Sequence, residues 1–196
     1  MKHAITVSVL LLTLGAATGA GAQTGNPATM APDTPANETG KPPAEHSNTA
    51  DQLFVRQAGL GAMAEVDFGK LAAQKASNNS VKEFARQMVN DHDKANDKLT
   101  PLAKANGVPL RKDFDMDHQV MRTELTKASG KEFDVAYIRG QVQEHQKTAQ
   151  LLEWEIGSGQ DPRVRNYAMA TLPTVLSHLR HAQRIQSELT GSGPPL

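Results

Sequence analysis

From Thr49 to Thr190 the apolar residues recur with the 3.6-residue period of an α-helix, and no stretch alternates as a strand would. That one pattern confines the chain to an all-α fold. Punctuation divides it. Thr49-Ala50-Asp51-Gln52, Ser80-Val81-Lys82-Glu83 and Ser129-Gly130-Lys131-Glu132 each match a capping box, and Asp161-Pro162 sets an N-cap acid before a first-turn proline. Asn106-Gly107, Gly157-Ser158-Gly159 and Gly191 before Pro194 and Pro195 read as stops. The spacing predicts long helices α1 over 51–76, α2 over 80–106, α4 over 130–157 and α5 over 161–190, with a short α3 over 116–127. Each long helix spans roughly 40 Å at ~1.5 Å per residue.

The turns α1–α2 and α4–α5 are short, so each pair packs antiparallel. Residues 107–129 are too many for a tight turn. A connection of that length crosses the bundle and makes α2 and α4 parallel, which is the ferritin-like arrangement of a four-helix bundle, here with a short helix on the crossover.

Four polar residues interrupt the apolar stripes, one per long helix: Glu65, His92, His145 and His178. In the crossover topology one end of the bundle holds the end of α1, the starts of α2 and α4, and the end of α5. From that end Glu65, His92 and His178 lie about 12 residues in and His145 about 15, within roughly one turn of a common height. From the other end His145 and His178 differ by five residues. A carboxylate on a face shared with Phe54 and Phe68 is costly to bury unless paired. Two readings follow. The set holds one divalent transition metal (Zn, Cu, Ni or Fe), for which imidazole and carboxylate are suitable donors. Alternatively, Glu65 and the histidines form a structural hydrogen-bond network that fixes helix register. His181 follows His178 by three residues but turns off the stripe, which suits a second-shell role. Asp91 and Glu144 point about 100° away from the histidines that follow them.

Composition narrows the function. Lys and Arg number 21, as do Asp and Glu, and aromatics are 4 %. Such a chain offers no basic field for nucleic acid and few stacking platforms for bases. It has no cysteine, which excludes thiolate metal sites and thiol catalysis. No nucleophile elbow, phosphate loop or H-E-x-x-H is present; a buried Glu65 beside a histidine is the remaining acid–base reading. Residues 1–22 read as a secretory signal peptide: Lys2 and His3, an apolar run from Ala4 to Leu14, then Ala20-Gly21-Ala22. The run is too short to span a bilayer. Residues 23–48, rich in Pro, Thr and Asn, read as a disordered linker; 49–190 form the bundle and 191–196 a flexible tail.

The strings AEVDFGKLAAQKASNNSVKEFARQMVNDHDKANDKLTPLAKANGV, FDVAYIRGQVQEHQKTAQLLE and LPTVLSHL, with E-x-x-x-G-x-L-A, DH and LP-x-x-x-x-H in order, closely resemble the exported bacterial domain-of-unknown-function family 4142. The likeness runs over 49–190. It implies a ferritin-like bundle in the periplasm or envelope, associated in many members with the outer membrane, and implies no established activity. The family pattern falls at Glu65, Asp91, His92, His145 and His178. Di-iron ferritin-like proteins carry Glu-x-x-His on two helices, but here Val89 and Val175 stand three residues before His92 and His178. Too few bridging carboxylates remain for a di-iron centre. The expectation is an exported, non-catalytic binding or stress-related envelope protein whose Glu/His centre can hold a metal. The alternative is an envelope interaction protein with a partner protein and a purely structural centre.

Overall fold

A computed structural model describes residues 48–191. The expected signal peptide, the linker before Asn48 and the tail beyond Gly191 lie outside the described residues. The described residues form α1 Thr49–Lys75, α2 Asn79–Ala105, α3 Met116–Lys127, α4 Gly130–Ser158 and α5 Pro162–Thr190. They contain no strand, and none of their helices is long and apolar enough to cross a membrane.

Two of the expected caps shift, and a third lacks its side-chain hydrogen bond. Asn48, not Thr49, caps α1: its side chain accepts from the Asp51 N–H at 2.8 Å and the Asp51 carboxylate accepts from the Asn48 N–H at 3.2 Å. Asn78, not Ser80, caps α2, accepting from the Ser80 and Val81 N–H groups. An Asn carbonyl is at least as good a cap as a hydroxyl, and it lies further out along the chain. Ser129 is the N-cap of α4 but makes no side-chain cap hydrogen bond; Gly130, which follows it, stands at φ 55°, in the left-handed region that favours glycine. Asp161 before Pro162 caps α5 as expected, and Gly191 ends it in the left-handed conformation.

The core divides into two apolar clusters, and their membership fixes the topology. One joins Ala72 and Ala76 at the end of α1, Val81 and Phe84 at the start of α2, Phe133 and Tyr137 at the start of α4, and Ala182 and Ile185 late in α5. The other joins Phe54 and Val55 at the start of α1, Leu99 and Ala103 late in α2, Ala149 and Leu152 late in α4, and Val164 and Ala168 early in α5. So α2 and α4 start at the same end, as the crossover requires. α1 packs with α2 and α4, and α5 with α4 and α2. α3 lies against the first cluster through Leu125. Gly69 lets α1 and α2 approach: a Cβ there would stand 2.8 Å from a Val89 methyl and 3.1 Å from the Ala85 carbonyl oxygen.

Two buried aspartates tie the hairpins to each other. Asp134 of α4 accepts from the backbone N–H groups of Ser77 and Asn78, each at 2.9 Å, and from the Ser77 hydroxyl, so it grips the α1–α2 turn. Asp51 of α1 accepts from the N–H groups of Gln160 at 2.9 Å and Asp161 at 3.1 Å, gripping the α4–α5 turn at the other end. Hydrogen bonds to a charged acceptor stabilise by ~1.5–3 kcal/mol. In urea denaturation, Asp134→Ala is expected to lower stability by at least ~2 kcal/mol and Asn78→Ala by about 1 kcal/mol, whereas Ser80→Ala stays within ~0.5 kcal/mol.

Candidate metal centre

Between the two apolar clusters lies a buried polar layer of Glu65, His92, Gln141, His145 and His178, each no more than 8 % exposed. Each stands on its helix's core stripe with apolar residues above and below. Met88 and Leu99 flank His92, Ile138 and Ala149 flank Gln141 and His145, and Val175 and Ala182 flank His178.

The structure brings the three histidines together. One ligand nitrogen from each lies within 4.8 Å of the others. Their ring centroids are 5.6 Å (His92–His145), 5.8 Å (His92–His178) and 5.4 Å (His145–His178) apart. Two tautomers follow from the partners. His145 Nδ1 lies 2.9 Å from the Gln141 carbonyl oxygen, which can only accept, so Nδ1 carries the proton. His178 Nε2 lies 3.1 Å from Asp91 Oδ2 and donates to that carboxylate. The opposite nitrogens, His145 Nε2 and His178 Nδ1, are therefore bare lone pairs. Both are buried without a hydrogen-bond partner, as is His92 Nε2. A buried acceptor left unmade costs ~1–3 kcal/mol. A histidine whose far nitrogen is held by a carbonyl or carboxylate is the usual way a protein orients a metal ligand.

Glu65 shares the layer but stands outside the group whose ligand atoms lie within 4.8 Å of one another. Its partner is Gln141, whose Nε2 donates to Glu65 Oε2 at 2.6 Å; Glu65 Oε1 remains buried and unpartnered. Gln141 is the residue that sequence reasoning missed, although it precedes His145 by one turn on the same stripe. The hydrogen bonds that hold the imidazoles come from the Gln141 carbonyl, on His145, and from Asp91, on His178. Asp91 does turn away from His92, its neighbour in sequence, but it reaches across to α5. His181 instead packs edge-on against Phe84, with ring centroids 5.2 Å apart. Glu144 points to α3, where it and Asp115 flank the buried His118, Asp115 Oδ1 lying 2.6 Å from His118 Nδ1.

Electrostatics keeps the trio neutral. Burial, reinforced by repulsion from the other imidazoles, pushes His92 down to about 3, and burial pushes His145 down to about 4. Burial also lowers His178, against the pull of Asp91. Burial raises Glu65 to about 8, with the Gln141 hydrogen bond acting against the rise. Neutral imidazoles are the form that binds a metal.

A model of a domain of unknown function, DUF4142, matches residues 36–185. The chain belongs to the DUF4142 family. No curated protein matches it. Solved structures share its fold. A DUF305 fragment from Deinococcus radiodurans is 11 % identical with a TM-score of 0.66, over 73 % of this chain and 99 % of that one. A putative secreted DUF305 protein from Streptomyces coelicolor is 14 % identical with a TM-score of 0.63, over 75 % and 96 %. CopM in its Cu(I)-bound form is 18 % identical with a TM-score of 0.59, over 70 % and 96 %. At these identities the likeness to the DUF4142 bundle is one of fold.

The shifts give a pH profile. The unfolded chain protonates its histidines near 6.5 while the folded trio resists, so stability falls as pH drops from about 6.5 toward 4. Folded Glu65 holds its proton to about 8 against 4.5 when unfolded, so its contribution, complete below 4.5, is lost as pH rises to about 8. Glu155, raised to about 8 by burial and by Asp51, adds to that alkaline loss. The metal-free thermal midpoint is expected to peak near pH 6. Glu65→Gln should flatten part of the alkaline arm and leave the acid arm in place.

Proposed function

We propose that this DUF4142 protein is an exported, non-catalytic binding protein of the envelope that holds one transition-metal ion on His92, His145 and His178. The observation that carries the reading is the cluster of three buried imidazoles, each with one ligand nitrogen within 4.8 Å of the others and each with a buried nitrogen that has no hydrogen-bond partner. Among the described residues no hydrogen-bond partner satisfies those nitrogens; an ion would. Two of the rings are held as metal ligands are: the Gln141 carbonyl takes the His145 Nδ1 proton and the Asp91 carboxylate the His178 Nε2 proton, which leaves the other nitrogen of each as a lone pair. Asp91 also supplies a carboxylate to offset part of the ion's charge.

Three imidazoles without a thiolate suit copper, zinc or nickel. Copper is the first ion to try, because CopM structures of this fold carry Cu(I), Cu(II) and Ag. Export rests on the reading of residues 1–22; a fold neighbour is itself described as a putative secreted protein.

The Glu65–Gln141 hydrogen bond favours one other reading. It pairs the glutamate without an ion, as a layer that only fixes helix register would. Titration separates the two. Purified protein is expected to take up one copper ion per chain. The His92→Ala/His145→Ala double variant should lose that ion, and Asp91→Asn should weaken binding ~10–100-fold. Uptake by the double variant equal to that of the unaltered protein would remove the metal reading.

A further inference from the structure

A cavity of about 60 Å³ adjoins two of the three histidines, lined among others by Gly61, Glu65, His92, Thr174 and His178. At roughly 10–15 Å³ per water by the same measure it has room for a few waters or one small anion. Small residues form part of its wall: Ala58, Gly61 and Ala62 on α1 and Ala95 on α2. The lining includes exposed Gln57 and Thr174 as well as buried Glu65, His92 and His178. A Cβ built on Gly61 meets nothing within 4 Å, so that wall has free space in front of it.

Two facts point to a ligand here. Three protein nitrogens leave a four-coordinate ion one donor short, the arrangement of open metal sites. Glu65 is 5 % exposed, and its Oε1 has no hydrogen-bond partner, while its Oε2 is already taken by Gln141. A buried oxygen of that kind lining a small cavity is placed to hydrogen-bond whatever enters. Besides Glu65, His92 and His178, the polar groups on the wall are Gln57, Asp91, Tyr167 and the hydroxyls of Thr148, Thr171 and Thr174.

We propose that this cavity is a second binding site, which gives the ion on His92, His145 and His178 a fourth ligand from solvent, a water molecule or a small anion, with Glu65 beside it as a positioning residue. This rests on the metal reading above and extends it: the centre is open, and what it holds remains reachable by small donors. A closed storage site would have a fourth side chain in that position.

The test uses the whole mature chain loaded with Cu(II), with azide as the probe. Azide is expected to bring up a saturable charge-transfer absorption and to change the electron paramagnetic resonance spectrum. Gly61→Leu places a side chain where free space lies. It should keep one copper per chain and bind azide at least tenfold more weakly. Glu65→Leu should also keep its copper and weaken azide, with Glu65→Gln restoring most of the affinity. Unchanged spectra in the copper-loaded unaltered protein overturn the proposal, because they mean that the fourth position is closed. Azide binding as tight in both Gly61→Leu and Glu65→Leu as in the parent also overturns it, because the ligand then enters elsewhere. The failure of the metal reading looks different: no copper binds before any azide is added.

Discussion

Two buried carboxylates set the frame on which everything else depends. Asp134 reaches from one hairpin to the turn of the other, and Asp51 does the same in reverse at the opposite end. Each satisfies backbone N–H groups that a tight turn leaves without helix partners. Because the two grips act at opposite ends, neither hairpin can slide along the other without breaking one of them. Helix register in the middle of the bundle follows, and with it the common height of His92, His145 and His178.

The polar layer is the cost this bundle carries. Five buried polar residues occupy positions that an apolar side chain would fill more favourably, and they separate the core into two clusters. Within the layer the hydrogen bonds are distributed unevenly. Glu65 and Gln141 pair with each other, His145 with a carbonyl and His178 with Asp91, yet one nitrogen of each histidine is left bare. A layer built only to fix register would gain by pairing those nitrogens too.

Much of this was legible in the sequence. Helical periodicity and glycine stops placed all five helices, and the length of residues 107–129 implied the crossover that the two core clusters display. The caps were off by one or two residues, because Asn48 and Asn78 compete with the hydroxyl residues that follow them and a pattern match favours the hydroxyls. The histidines could be found because each breaks an apolar stripe. What joins them was harder to see. In the sequence Asp91 shows only its angle to His92 on the same helix, whereas its partner, His178, lies 87 residues away on α5. Gln141 looks unremarkable as a lone amide, and its role appears only once α1 and α4 are side by side. Pairing between helices depends on packing, which a one-dimensional pattern does not encode.

The histidines belong to both hairpins, His92 to the first and His145 and His178 to the second. Any ion held by all three is therefore a cross-link between the halves of a chain that has no cysteine. Like a disulfide, it would close a long loop and remove entropy from the unfolded state. Unlike a disulfide, its strength would rise and fall with the free ion concentration outside the protein. The bundle would then be firmest where that ion is abundant, and its lifetime would report on the supply.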